Sequence, residues 1–189
     1  MVDLPNEMTL SIGCGPGHEA TEIGIDIRFD LRPDVVGDMR GLPFRDECFD
    51  SVIASHVLEH VPIWDTELSL REMHRVLKPS GTLQVQVPDM GWIAERITKN
   101  RLTPQLIPMI YGAPGMICGA SGRIGWNHLM AFDAPLLVGY IRLAGFRETE
   151  IVTQVAEVSW WGSEDPRQEG KPIRTDKFQE LRVRARKKL

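Results

Sequence analysis

The stretch Leu10-Ser11-Ile12-Gly13-Cys14-Gly15-Pro16-Gly17 decides the fold, because a short apolar run leads directly into a loop rich in glycine. Glycine has no Cβ, so such a loop can adopt positive φ and bring its backbone close to a ligand. Parallel sheets bind ligands beyond the carboxyl ends of their strands. The stretch therefore predicts a first strand followed by a ligand-binding loop, although a glycine-rich turn can also have a purely structural role.

Two aspartates follow at the ends of the next predicted strands. Asp26 ends an apolar strand, where a carboxylate can accept hydrogen bonds from both hydroxyls of a ribose. Asp38 follows a third strand and can accept a hydrogen bond from an adenine amino group. Each can also be an ordinary aspartate at a strand end or turn. These residues together favour a nucleoside-containing ligand.

The spacing argues against a dinucleotide. A dehydrogenase fingerprint requires a third glycine where this chain has His18, and a helix before the acidic strand end. Only residues 16–21 separate the loop from the second strand, which is too short for a packed helix. The first crossover helix is therefore predicted to be missing or reduced to a turn.

Apolar patterns along the chain predict an α/β domain with a mostly parallel sheet. Helices are predicted from Thr66 to Leu77, with Leu68, Met73, Val76 and Leu77 on one face, and from Asp133 to Ala144, with Gly145 ending the second. In the last strand Arg182, Arg184 and Arg186 alternate with apolar residues, which favours a solvated face over an arm for nucleic acid. Predicted strands span residues 9–12, 22–27, 34–38, 49–55, 81–88, 147–155 and 176–187, with a turn at Pro79-Ser80-Gly81.

Composition sets the class of protein. The chain has 189 residues, 42% hydrophobic and 25% charged, which suits a single globular domain spanning residues 1–189. Its net charge of -4 makes a nucleic-acid partner unlikely. Three cysteines, far apart and odd in number, indicate free thiols in a reducing compartment. With no signal-peptide pattern and no apolar run long enough to span a bilayer, we expect a cytoplasmic enzyme.

Four motifs, in order and spacing, carry a resemblance to class I S-adenosylmethionine-dependent methyltransferases of the type-11 group. They are the glycine loop, Gly24-Ile25-Asp26, the segment from Gly37 to Phe44, and the pair formed by residues 49–60 and 72–81. The resemblance covers about residues 10–87 and is weaker to 187. It implies a Rossmann-like sheet of seven strands with an antiparallel last strand. A subgroup of this family has a short first connection and a later glycine-containing segment that ends in a histidine, as at Tyr111-Gly112 and Asn127-His128.

The resemblance also implies the cofactor and its contacts. The cofactor is S-adenosyl-L-methionine, which leaves as S-adenosyl-L-homocysteine. Asp26 and Ile27 would hold the ribose region, Asp38 and Met39 would flank the adenine, and Ser55 and His56 would close over the sulfonium. The backbone of the glycine loop, Gly13, Cys14, Gly15, Pro16 and Gly17, would face the methionine moiety.

His128 and His56 are the predicted catalytic residues. Methyl transfer is an in-line displacement, so a base is needed only when the acceptor is a hydroxyl or a protonated amine. His128 lies in the segment expected to cover the substrate and can serve as this base, or only hydrogen-bond within that segment. We expect a small-molecule or saccharide-type acceptor bound by variable loops at residues 90–127 and 159–177. Trp160-Trp161 can cover the substrate, plug the core or form a homodimer contact.

Two other functions have to be weighed. His56-Val57-Leu58-Glu59-His60 matches the H-x-x-E-H pattern of zinc peptidases, but that mechanism needs both histidines on one long helix. Here an apolar strand precedes the pattern and Pro62 follows it, so no metal site is predicted. The other alternative is a non-catalytic module that binds the cofactor or a partner on the same fold.

Overall fold

A computed structural model describes residues 7–16, 18–99, 107–112, 127–159 and 175–188. Within these ranges seven strands form one sheet in the order β3-β2-β1-β4-β5-β7-β6. Strands β1 to β5 pair in parallel, whereas β7 is antiparallel to both β5 and β6. The predicted seven-stranded α/β sheet with an antiparallel last strand is confirmed. The strands are β1 Thr9–Ile12, β2 Glu22–Asp26, β3 Val35–Val36, β4 Phe49–Ser55, β5 Leu77–Pro88, β6 Glu148–Ser159 and β7 Thr175–Arg186.

Four α-helices and two short 3-10 turns connect the described strands. The helices are α1 Ile63–Val76, α2 Met90–Thr98, α3 Ile107–Tyr111 and α4 Ala134–Leu143, and the turns are Phe29–Leu31 and Leu58–His60. Asp133 caps α4 by accepting a hydrogen bond from the Leu136 N–H at 2.9 Å. None of the helices in the described ranges has the length and apolar character needed to cross a membrane.

The connection from β1 to β2 contains no helix in residues 13–16 and 18–21, as predicted; Gly17 lies outside the described residues. The His18 ring occupies the space above β2 instead. A Cβ on Gly24 would lie 2.6 Å from that ring, so only glycine lets the loop lie so close to the strand. The short connection thus packs flat on the sheet.

Strand alternation shows which face of the sheet carries the core. In β5, Leu83, Val85 and Val87 are buried, whereas Thr82 on the opposite face is exposed. In β7, Leu181, Val183 and Ala185 are buried, and Arg184 and Arg186 are exposed as predicted, whereas Arg182 is half-buried and donates to Gln86. Helices α1 and α4 contact each other and pack against β5 and β7 respectively. The carboxyl ends of β1, β2 and β4 meet at one edge of the sheet, because these strands are parallel neighbours.

Several predicted boundaries were wrong. Helix α1 begins at Ile63, and Leu68 is 46% exposed because Thr66, Ser69, Leu70, Met73 and Val76 form the buried face. Strand β5 begins at Leu77; residues 78–81 bulge out, since Phe49 pairs with Leu77 and Ser51 with Thr82. Ser80 there has φ +66°, so the predicted turn survives as this bulge.

Segment 90–127 is not wholly irregular, because α2 and α3 lie in it. Asp89 starts α2 by accepting a hydrogen bond from the Trp92 N–H, a capping signal that the prediction missed. Most of the predicted loop 159–177, including Trp160-Trp161, lies outside the described residues.

Candidate functional site

The glycine loop turns sharply at the carboxyl end of β1. Gly13 and Gly15 have φ of +64° and +62°, the left-handed region that favours glycine. The N–H groups of Gly13 and Cys14 donate to the Ile25 carbonyl at 2.8 and 3.3 Å, which fixes the loop beside β2. A Cβ on Gly13 would lie 2.4 Å from Val57 Cγ2, whereas a Cβ on Gly15 would face open space. Gly15 therefore borders a space that a ligand can enter.

Asp26 lies directly beside this loop. Its Oδ2 accepts a hydrogen bond from the Gly15 N–H at 3.1 Å, and its Oδ1 accepts one from the Arg28 N–H at 2.9 Å. Each carboxylate oxygen keeps a lone pair for a further donor. Ile27, the next residue, is 63% exposed and offers an apolar surface. The structure brings these predicted residues together as a ribose site would require.

The remaining loop residues have separate surroundings. The Cys14 side chain is half-buried, and burial raises the pKa of its thiol. Pro16 is exposed. The Cys14 sulfur packs against β2, since a Cβ on Gly24 would lie 2.9 Å from it.

Asp34 joins the loop to β2 and was not predicted as a site residue. Its Oδ2 lies 2.6 Å from His18 Nε2 and accepts the Gly24 N–H at 2.9 Å. The backbone hydrogen bond from Gly24, followed by that from His18, lowers the pKa of Asp34. This link ties His18, in the short connection, to β2. In the sequence, the one signal for this role of Asp34 is an acidic residue directly before the third strand.

Replacing Asp34 by asparagine should remove an acid-dependent part of the stability. A lowered folded pKa means that the stabilisation is present above the ordinary value of 3.8 and is lost as pH falls through the folded pKa. Unfolding temperatures measured from pH 3 to 7 should differ between wild type and Asp34→Asn near neutrality and converge in acid. Asp46→Asn, at an exposed site, is the control. A difference independent of pH would contradict the assignment.

Asp38 lies at the end of β3 and is held by Arg40. The Arg40 Nε lies 3.0 Å from both Asp38 carboxylate oxygens, and its Nη1 reaches Asp65 at 3.0 Å. These hydrogen bonds lower the pKa of Asp38, so the group is an acceptor at neutral pH. Met39 is partly buried and packs on the core. Arg40 was missed as the residue that orients Asp38.

Ser55 and His56 end β4 and begin the side of the site opposite Asp38. Ser55 is exposed, and His56 has φ +50° with its N–H bound to the Gln86 carbonyl at 2.9 Å. His56 Nε2 lies 2.9 Å from Glu180 Oε1. Burial alone would lower the pKa of His56, but the Glu180 and Glu59 carboxylates outweigh it and raise the pKa to about 10. His56 is therefore an imidazolium at neutral pH, poorly suited to remove a proton.

Glu180 was missed by sequence reasoning. It is 6% exposed and accepts hydrogen bonds from His56 and from the Gln86 side-chain amide. Gln86 in turn accepts from Arg182 Nη2 at 2.8 Å. The available signal was a glutamate and a glutamine within strands that otherwise alternate apolar and exposed residues. We call Ser55, His56, Gln86 and Glu180 the acceptor side.

His128 lies next to the acceptor side. Its Nδ1 donates to the Met109 carbonyl at 2.9 Å, and its Nε2 lies 3.9 Å from Glu59 Oε1. The side chain is 12% exposed, and burial lowers the pKa of His128. His128 is thus neutral at neutral pH, but its free nitrogen points at a buried carboxylate. This geometry favours a role in shaping the site over direct proton removal.

The H-x-x-E-H pattern does not form the arrangement that a zinc peptidase needs. Only the 3-10 turn Leu58–His60 follows β4, and His56 binds Glu180 instead of facing His60 across a long helix. The geometry therefore does not favour that alternative.

The loop and strand ends fit a nucleoside with an attached amino-acid chain. Positive φ at Gly13 and Gly15, open space at Gly15 and free lone pairs on Asp26 are the observations that support the fit. Together with the order of the strands, they agree with the fold of class I methyltransferases and with a site for a cofactor such as S-adenosylmethionine.

Comparison with known sequences finds similar proteins for part of the chain. Residues 10–85 match the type-11 family model, described as "Methyltransferase domain". Demethylmenaquinone methyltransferase of Streptomyces griseus is 45% identical over 82 residues, covering 43% of this chain and 35% of the relative. That of Staphylococcus carnosus is 30% identical over 120 residues, covering 62% and 48%. The chain spans less than half the length of these relatives. Residues 10–85 are therefore similar to the type-11 methyltransferase family.

Solved structures show the same fold over nearly the whole chain. A methyltransferase of Methanosarcina mazei superposes with a TM-score of 0.65 at 21% identity, covering 97% of this chain and 93% of the other. A 1,6-didemethyltoxoflavin-N1-methyltransferase of Burkholderia thailandensis, with bound 1,6-didemethyltoxoflavin and S-adenosylhomocysteine, has a TM-score of 0.54 at 17% identity, covering 97% of this chain and 72% of the other. The agreement extends the class I fold beyond residue 85.

Proposed function

We propose that this chain transfers a methyl group from S-adenosylmethionine to a small polar acceptor. The Asp26 carboxylate carries the proposal, because the Gly15 and Arg28 N–H groups hold its two oxygens at the carboxyl ends of β1 and β2. A carboxylate fixed in this way can accept from both ribose hydroxyls without rearranging.

The proposed cofactor contacts follow the described geometry. The methionine moiety would lie along the backbone of residues 13–17, the ribose on Asp26, and the adenine between Ile27 and the pair Asp38 and Met39. When bound, the cofactor would supply an activated methyl group on its sulfonium, and S-adenosylhomocysteine would leave as the acceptor attacks in line. The protein therefore mainly has to align acceptor and cofactor and exclude competing water.

The acceptor side supports a hydroxyl-bearing small molecule, of saccharide or quinol type. Ser55 is exposed there, Glu180 holds the His56 ring by a hydrogen bond, and the Gln86 amide in turn donates to Glu180. The family model ends at residue 85, before Gln86, His128 and Glu180. The similarity to these relatives therefore supports the proposal for residues 10–85. The choice of acceptor depends on residues that follow the matched segment.

Cofactor titration followed by an acceptor screen tests this function. Calorimetry should show binding of both S-adenosylmethionine and S-adenosylhomocysteine. Release of S-adenosylhomocysteine would then be measured with saccharides, quinols, small acids and nucleosides. Failure of both cofactor forms to bind would refute the proposal. Binding without turnover on any acceptor would favour the non-catalytic alternative.

His128→Ala is expected to lower turnover by about tenfold or more while leaving the cofactor Kd nearly unchanged, because His128 lies beside the acceptor side and away from Asp26. His74→Ala, at a half-buried site against Phe146, is the matched control. An equal loss of turnover and cofactor affinity would show that His128 is needed only for the fold.

We propose a homodimer as the partner state, through α1. Ile63, Trp64 and Leu68 are 50%, 77% and 46% exposed, an apolar group that a second copy can cover. Light scattering of wild type and Trp64→Lys would test this contact.

The free thiols of Cys14 and Cys48 support the expectation of a cytoplasmic enzyme.

A further inference from the structure

Three potential metal ligands converge between the turn after β4 and the segment before α4. Glu59, His60 and His128 each place one ligand atom within 4.8 Å of the others. Glu59 and His60 belong to the turn Leu58–His60, and His128 follows α3 in the chain. The group lies beside the acceptor side and shares no residue with the proposed cofactor contacts.

Backbone hydrogen bonds fix which nitrogen each histidine can offer. His60 Nδ1 lies 3.1 Å from the Asn127 carbonyl, and His128 Nδ1 lies 2.9 Å from the Met109 carbonyl. A carbonyl oxygen only accepts, so each Nδ1 carries the proton and each neutral imidazole has its lone pair on Nε2. Metal-binding histidines are typically oriented by such a bond from the other ring nitrogen. Both rings therefore have the tautomer that a metal ligand requires.

Glu59 supplies the third group, and its surroundings do not satisfy it. The side chain is 1% exposed, and neither carboxylate oxygen has a hydrogen-bond partner among the described residues. Oε1 lies 3.9 Å from His128 Nε2 and 3.4 Å from His56 Nδ1. The His56 imidazolium faces Oε1 without a hydrogen bond, and Oε1 also faces the Nε2 lone pair of His128, a contact that a cation between Glu59 and His128 would make favourable.

A small cavity adjoins these groups. Glu59 and His128 line it, and the rest of its wall is apolar, with Ile93, Met109 and Phe132 among the contributors. Its volume is about 10 Å³, and it leaves little room beyond one small ligand next to the carboxylate. An ion bound by the three side chains would thus be largely shielded from solvent.

We propose that Glu59, His60 and His128 bind one divalent transition-metal ion, with zinc as the preferred ion. Two imidazoles and one carboxylate are a donor set that suits zinc, which commonly takes a water molecule as its fourth ligand. Magnesium and calcium prefer all-oxygen ligands and fit less well. This site uses His128 in place of His56, so it differs from the peptidase pattern.

The ion would join two distant parts of the chain. The Glu59 carbonyl already accepts the N–H groups of Leu129 and Met130 at 2.7 and 3.0 Å. A bound metal would add a link through His128 to the same turn and would fix the wall of the acceptor side. While bound, it would occupy His128 Nε2, so His128 would act as a ligand and not as a base.

The experiment uses tag-free full-length protein treated with a chelator. Titration with Zn²⁺ against a chromophoric competitor should show one equivalent, and Co²⁺ should give the visible absorption of a low-coordinate site with nitrogen and oxygen ligands. Zn²⁺ should also raise the unfolding temperature, because a ligand that binds only the folded state stabilises it.

Variants assign the ligands. His128→Gln and His60→Gln should each weaken Zn²⁺ binding by about 100-fold or more and abolish the thermal shift, whereas His74→Gln should bind as wild type does. S-adenosylmethionine affinity measured on the same samples keeps this outcome separate from the proposed methyl transfer. Absence of a Co²⁺ spectrum and of a Zn²⁺ thermal shift in wild type would overturn the proposal. Unchanged binding by His128→Gln would do the same.

Discussion

Asp26→Ala is expected to weaken the binding of S-adenosylmethionine by about 5- to 150-fold, equivalent to 1–3 kcal/mol, the usual effect of removing buried hydrogen-bond acceptors. The variant loses the proposed acceptors for the ribose and also the bond from the Gly15 N–H that holds the loop at 3.1 Å. S-adenosylhomocysteine should lose affinity by a similar factor, because it has the same ribose. Calorimetric titration measures both.

Asp46→Ala is the control for this experiment, since Asp46 is exposed and pairs with Arg75 away from the glycine loop. Circular dichroism would verify that Asp26→Ala keeps the fold. Unchanged affinity in a folded variant would remove Asp26 from the site, and with it the observation that carries the proposed function.

Gly13→Ala should destabilise the fold by about 2–5 kcal/mol, more than Gly15→Ala does. Both positions have positive φ, which costs a residue with a Cβ about 1–2 kcal/mol. At Gly13 the added Cβ also meets Val57 at 2.4 Å, and overpacking of this kind adds about 1–3 kcal/mol. At Gly15 the added Cβ meets no atom within 4 Å among the described residues outside its chain neighbours, so the backbone strain is the main cost.

Urea unfolding of four variants separates these effects. They are Gly13→Ala, Gly15→Ala, Val57→Ala and the double variant Gly13→Ala with Val57→Ala. The double variant should recover part of the loss, because truncating Val57 removes the overlap. Equal losses at Gly13 and Gly15, with no coupling to Val57, would show that the loop packs differently. Gly15→Ala should instead reduce cofactor affinity, since its Cβ projects into the open space beside Asp26.

The sequence predicted the architecture because local patterns and chain order largely determine it. The glycine loop, the short first connection and the alternation in β5 and β7 are all local patterns. Each can be recognised within a single strand or turn. Leu68 shows the limit of this reasoning. Its apolar character suggested the buried face, but α1 begins three residues earlier than predicted and packs through Thr66 and Ser69, whose hydroxyls bond to the carbonyls of Pro62 and Asp65.

The grouping of Asp26 with the glycine loop was more predictable than that of the acceptor side, for a physical reason. Asp26 and the glycines lie at ends of adjacent parallel strands, so strand order alone brings them together. Glu180 contacts His56 from a strand far along the chain, through an antiparallel register that no local pattern specifies. The orientation of His128 depends equally on a carbonyl from α3, a helix that was not predicted.

The hydrogen bonds from Leu129 and Met130 to the Glu59 carbonyl have a consequence for how such enzymes can be recombined. His60 adds a second link to the same segment through the Asn127 carbonyl. The turn after β4 and the segment before α4 therefore form one hydrogen-bonded unit, although the chain separates them widely. A chimera that takes the segment before α4 from a relative must also take residues 58–60 from it. Otherwise the segment will lose its hydrogen bonds to this turn.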